Sequence, residues 1–268
     1  MVNDGHKSTP WVNQMLPWIL PAGFILVWLA ASELGLVPPY VLPHPREIID
    51  SGYVYILSGS DTGMYAGRFF ADAKASLIRV IAGFTIAAAA GIPLGVMSGR
   101  LPVVERLLST SVNGIRAVPG ISWLPLALIW FGIGMKTTVF LVALAAFFPI
   151  YINSASGVRQ VSPVLLRAGA MMGVRRLRGT FAILLPGAMP SLISGLRLGL
   201  GISWAYLVLG ELTGVQNGLG AVIMDARMVG RTDVIIVGIV IIAVIGRVSD
   251  QVLTACLRLC FKSARRSA

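Results

Sequence analysis

The chain has 268 residues, of which 56% are hydrophobic and 12% charged; soluble domains carry roughly 25% charged residues, so lipid rather than water is the solvent for much of it. Its formal net charge of +11 comes from 22 Lys and Arg against 11 Asp and Glu. The basic residues gather at the ends of apolar runs, which is the pattern of membrane topology and excludes a nucleic-acid-binding face. Cys256 and Cys260, one helical turn apart, read as packing residues rather than a redox or metal pair.

A membrane span needs about 20 mostly apolar residues, and the sequence offers six candidates, giving an all-α membrane protein with six transmembrane helices. The first runs from about Leu16 to Val37. Lys7 ahead of an apolar run imitates a secretory signal, but the run is too long and more membrane follows, so a retained first span is expected. After it, Pro45 at a first helical position, with Glu47 and Asp50 behind it, predicts a short amphipathic helix on the outer membrane surface. Ile48, Ile49, Tyr53, Ile56 and Leu57 are its expected apolar face.

The second span, about Ser76 to Met97, carries Gly83, Ala87, Gly91, Gly95 and Gly99 at strict spacings of four. This is a small-residue groove for close helix packing, with Pro93 expected to kink it. The third, about Val103 to Ile133, is broken by Pro119 and Pro125, which free backbone carbonyls that need a protein or water partner. Arg116, Ser122 and Trp123 around that break are candidates for a translocation path; an ordinary proline-bent helix with an arginine at its inner end is the alternative. The fourth span is about Thr137 to Ser156.

In the fifth span, about Ser191 to Leu212, Arg197, Trp204 and Glu211 are spaced by seven and so share nearly one face. Intramembrane charges tend to face a bundle interior or a watery path, which makes all three path candidates. The competing reading has Arg197 snorkelling inward and Glu211 marking the outer boundary. The sixth span is about Val234 to Leu257. Arginines and lysines concentrate in the connections between spans two and three and between four and five, and in the tail, so both termini are expected in the cytoplasm.

No phosphate-binding loop, His-Glu-x-x-His pair or Ser/His constellation is present, which argues against ATP binding by this chain and against an intramembrane enzyme. The spans lack the buried acid and histidine relays of a proton-coupled carrier.

One cytoplasmic stretch is specific: Ala168, Gly173, Ile183, Leu185 and Pro186 match, in spacing, the signature of the membrane subunits of ATP-binding-cassette importers. There it reads Glu-Ala-Ala, three residues, Gly, nine residues, Ile, one residue, Leu-Pro. Arg167 stands where the family has glutamate, and Gly169 where it has the second alanine. The chain resembles that family from Pro17 to about Leu257, and "FPIYIN" and the run from Arg197 to Trp204 look most like the aliphatic-sulfonate permeases of the nitrate, sulfonate and taurine branch.

The resemblance implies a type I importer permease fold and a homodimer of this subunit in the bacterial inner membrane. It further implies two cytoplasmic ATPase subunits and a periplasmic or lipid-anchored solute-binding protein. No cofactor is expected in this chain; ATP and magnesium belong to the partner ATPase. The implied organisation is an N-terminal segment with the first span and the outer helix over 1–67, and a permease core over 68–257. The core includes a coupling helix at about 160–185, and a basic tail occupies 258–268. The implied cargo is a small anion, an aliphatic sulfonate first, with taurine, nitrate or another small compound carried by the same machine as alternatives. A stand-alone channel or ion-driven carrier is the reading from a different class.

Overall fold

The computed structural model describes residues 10–58 and 63–260, and every regular element among them is helical. In chain order these are α1 Pro10–Glu33, α2 Pro45–Leu57, α3 Phe69–Arg100, α4 Pro102–Ala117, α5 Leu124–Phe131, α6 Met135–Gln160, α7 Pro163–Met171, α8 Arg176–Gly179, α9 Leu185–Glu211, α10 Leu219–Val229 and α11 Thr232–Cys260. A 3-10 turn over Gly120–Trp123 precedes α5, and a π turn over Thr180–Leu184 leads into α9.

Helix α6 is the centre, clasped between α3 and α9, and the glycines explain why. A Cβ on Gly83 would sit 2.6 Å from Val142 Cγ1, and one on Gly95 would sit 2.6 Å from both Ser154 Cβ and the Tyr151 carbonyl oxygen. On the other side of α6, a Cβ on Gly195 would meet Asn153 Cβ at 2.6 Å and one on Gly210 would meet Thr138 Cα at 2.9 Å. The backbones therefore touch, as small residues in lipid permit. Hydroxyls in these seams are satisfied locally: Ser154 Oγ donates to the Ile150 carbonyl at 2.7 Å and Ser203 Oγ to the Gly199 carbonyl at 2.8 Å. Tyr151 donates to Ser98 Oγ at 2.8 Å, tying α6 to α3.

Among the described residues four helices are long and apolar enough to cross a membrane: α3, α6, α9 with its π turn, and α11. The α4 and 120–131 helices make a fifth only if taken as one broken span, since they bend by 89°. The break expected within residues 103–133 is therefore present, and its alternative, an ordinary proline-bent helix, is not. Pro119 precedes the 3-10 turn and Pro125 lies in the first turn of α5, so each proline opens a helix where its missing N–H costs nothing. Helix α1 contributes a shorter apolar stretch, Ile19–Glu33, and ends before the expected Val37 because the chain turns at Gly35, whose φ is +63°.

Helix α3 starts seven residues earlier than the expected second span, taking in Asp72 and Lys74 that hydropathy assigns to the preceding loop. Helix α2 begins at Pro45 under a His44 cap, whose Nδ1 accepts from the Arg46 amide at 3.2 Å. Its packed face differs from the expected one: Tyr55 is buried, with Ile48 and Ile56 beside it, against Val234 and Val237 of α11. Ile49, Tyr53 and Leu57 are exposed on a second stripe. The interior position of Tyr55 follows from its hydroxyl, which reaches an acid on α3 that hydropathy cannot see.

Candidate functional site

The signature stretch forms a compact elbow between α6 and α9. Ser162 caps α7, its Oγ accepting from the Val164 amide at 3.3 Å, and Pro163 fills the first helical position. The helix ends at a glycine stop: the Gly173 amide donates to the Ala170 carbonyl at 3.0 Å and the Val174 amide to the Gly169 carbonyl at 2.9 Å. That pair of bonds needs a left-handed residue between them, and Gly173 has φ +78°. A Cβ on Gly169 would overlap Ile183 Cδ1, so the glycine standing in for the family's alanine lets the π turn close onto α7. Arg167 and Ala168 lie on the exposed side of α7, and Met171, 91% exposed, and Met172 form its bare tip. Ile183 and Leu185 are half-buried and Pro186 is exposed in the first turn of α9.

The stripe of Arg197, Trp204 and Glu211 faces α11 and α10. Arg197 Nε and Nη2 donate to the two carboxylate oxygens of Asp250 at 2.8 Å each, and Arg247 lies 3.7 Å from the same carboxylate. Trp204 Nε1 donates to Ser249 Oγ at 2.9 Å. Glu211 enters a buried cluster that sequence reasoning missed. Its carboxylate accepts from Arg79 Nη1 at 2.6 Å, from Ser76 Oγ at 2.8 Å and from the Gly220 amide at 2.8 Å. Ser76 Oγ in turn accepts from the Leu219 amide at 2.9 Å, and Asp72 accepts from the Gly218 amide at 3.0 Å and from the Tyr55 hydroxyl at 3.2 Å. Burial, reinforced by the Asp72 carboxylate, pushes the Tyr55 phenol far above its ordinary value, so it stays a donor.

The cluster caps α10 from outside. The amides at the start of that helix have no partners within it, and here they meet a carboxylate of α3, a hydroxyl of α3 and a carboxylate of α9. A signal was available in the sequence: Asp72, Ser76 and Arg79 lie at i, i+4 and i+7, one polar stripe on an otherwise apolar helix.

Arg116 and Trp123 meet in a different place, a cavity of about 320 Å³ walled by α6 and by Ile202 and Tyr206 of α9. Ser122 is exposed and outside that lining. Tyr206 is nine residues beyond Arg197, two and a half turns at 3.6 residues per turn, and so on the opposite side of α9. The two sets of candidate path residues are therefore separated by the thickness of α9 within one chain. Among the described residues no group of His, Cys, Asp and Glu could hold a metal ion.

Residues 91–258 match the family model described as binding-protein-dependent transport system inner membrane component. The chain is 35% identical over 247 residues to the Bacillus subtilis protein named as an aliphatic sulfonates transport permease, covering 92% of this chain and 86% of that one. It is 34% identical over 224 residues to the taurine transport system permease protein of Escherichia coli, covering 84% and 80%. Among solved structures, a chain of the MetNI methionine ABC transporter in an inward-facing form aligns with a TM-score of 0.59 at 19% identity, covering 74% of this chain and 99% of that one. At that identity the likeness speaks to the fold alone.

Proposed function

The chain belongs to the inner-membrane components of binding-protein-dependent transport systems, and we propose that, as the permease subunit of an ATP-binding-cassette importer, it carries an aliphatic sulfonate across the membrane. The observation that carries the reading is the elbow at Gly173. A glycine-stopped helix with a bare methionine tip projects between two spanning helices of a chain in this family, which suits a part that receives movement from a separate ATPase.

In this account ATP and magnesium bind the two ATPase subunits, and Arg167, Ala168, Gly169, Gly173, Ile183, Leu185 and Pro186 form the element that docks on one of them. Two copies of the permease pair, and a periplasmic or lipid-anchored binding protein delivers the solute. Helices α1, α3, the broken α4–α5 pair, α6, α9 and α11 make six crossings of the bacterial inner membrane. Both termini lie in the cytoplasm, on the side where Arg100, Arg106, Arg159 and the arginines of 167–178 gather. The cavity at Arg116 and Trp123 then borders the translocation path. Arg197, Trp204 and Glu211 hold α11 and α10 to α9, so that movement of the elbow at the start of α9 is passed to both.

Taurine is the alternative cargo, favoured by the resemblance to a taurine permease. The docking claim is tested by a Met171→Cys variant in a background with Cys256 and Cys260 replaced. It crosslinks to the ATPase subunit of the assembled complex, whereas a cysteine at Ile129, exposed on α5, does not. Equal crosslinking at both positions contradicts the assignment.

A further inference from the structure

The cavity at Arg116 carries an inference that rests on the importer reading and goes further. Its lining contains three polar side chains, Arg116, Trp123 and Tyr206, each with an N–H or O–H to give, and no carboxylate. Among the described residues none of the three meets an acid, hydroxyl or carbonyl partner. Three arginines of the central helices α3, α6 and α9 are by contrast paired: Arg79 with Glu211, Arg159 with Glu105 and Arg197 with Asp250.

The wall residues Leu144, Phe148 and Ile152 belong to the central part of α6, which runs from Met135 to Gln160. At 1.5 Å per residue Phe148 is roughly 20 Å from one end of that helix and 18 Å from the other. Arg116 is exposed in the single chain, so at that height its guanidinium is open to an anionic visitor and, among the described residues, has no counter-charge of its own. Gly120 contributes by what it lacks: a Cβ there would overlap the Tyr206 phenol, so the glycine lets the ring lie against the 3-10 turn at the cavity wall.

We propose that this cavity is a solute site inside the membrane, holding an acidic head group on Arg116, Tyr206 and Trp123 and a short unsubstituted aliphatic tail on Leu144, Phe148 and Ile152. A planar guanidinium can give two parallel hydrogen bonds to a pair of sulfonate oxygens. The volume, about 320 Å³, is at the small end of the range for small-molecule sites and leaves room for a tail of a few carbons. The lining gives the ammonium of an aminosulfonate no carboxylate, so such a solute enters with an unpaired charge and is disfavoured.

The test uses the assembled permease–ATPase complex without binding protein, and labelled 1-butanesulfonate as probe, with methanesulfonate and taurine as competitors. Saturable binding is expected in the millimolar range, with taurine the weaker competitor. Arg116→Gln should weaken binding by about tenfold or more, the loss expected when a charge-assisted hydrogen bond disappears. Ala145→Leu, which narrows the apolar wall without touching the donors, should shift preference toward methanesulfonate by about threefold or more, a change of ratio that misfolding would not produce.

Arg116→Gln binding within about twofold of the wild type, or an Ala145→Leu variant that weakens both sulfonates equally, overturns the site. The same complex in liposomes with its binding protein separates the two readings. ATP-driven uptake without saturable binding to the permease–ATPase complex refutes the site alone, and absence of uptake refutes the importer reading on which it rests.

Discussion

Replacing Glu211 by glutamine changes no volume and yet should be among the most damaging substitutions in the chain. The carboxylate is fully buried, and both of its oxygens face donors: Arg79 Nη1 at 2.6 Å on one, the Gly220 amide at 2.8 Å on the other, and Ser76 Oγ close to both. Whichever way the glutamine amide turns, its NH2 points at a donor, and Arg79 keeps its charge with only the Asn217 carbonyl, at 2.6 Å, as a strong acceptor. Breaking a buried pair by removing one partner costs about 3–5 kcal/mol. For a chain of this size that lowers a thermal midpoint by on the order of 10 °C. The assay is the fraction of monodisperse permease–ATPase complex left after heating in detergent. The Arg79→Leu/Glu211→Leu double variant should be less damaged than Glu211→Gln, because no charge is then left unpaired. A Glu211→Gln midpoint within about 2 °C of the wild type, or a double variant that loses the sum of the two single effects, would refute the reasoning.

Four further outcomes follow from the packing, the elbow and the Arg197 pair. Gly95→Val drives a side chain into Ser154 and the Tyr151 carbonyl, each 2.6 Å from the new Cβ, and should cost about 3 kcal/mol and most of the assembled complex. Gly23→Val, with nothing within 4 Å, should leave assembly intact on size-exclusion chromatography. Gly173→Val must place a branched side chain at φ +78°, a strain of about 1–2 kcal/mol, and should insert normally while losing ATP hydrolysis stimulated by the binding protein. Arg197→Ala leaves Asp250 with only Arg247 at 3.7 Å and should reduce uptake more than assembly; full uptake would confine the pair to a packing role.

What the sequence makes legible is what is local. The stripe from Gly83 to Gly99 is read correctly because a spacing of four on a helix puts its residues on one face whatever the neighbour turns out to be. Gly173 is singled out by the resemblance to the importer signature, and its left-handed backbone is what the structure adds. Partners are harder: Asp250 lies 53 residues from Arg197, and nothing in the spacing of either helix joins them before α9 and α11 pack. Asp72, Ser76 and Arg79 escape for another reason. A hydropathy window starts the span at about Ser76, so Asp72 falls in the loop and its i, i+4, i+7 relation to Ser76 and Arg79 is lost although that spacing is helical. Pro119 and Pro125 mark the break between α4 and α5, but neither its 89° angle nor the cavity that Arg116 shares with Tyr206 of α9 can be read from them.

The central claim is that this chain is a solute conduit powered by a separate ATPase through the Gly173 elbow. It is tested most directly by uptake of a labelled aliphatic sulfonate into liposomes containing the permease, its ATPase and its binding protein, with ATP supplied on the ATPase side. Accumulation should require all three proteins and ATP hydrolysis, and should be abolished by Gly173→Val. Accumulation by the permease alone, or uptake unaffected by that substitution, would contradict the account.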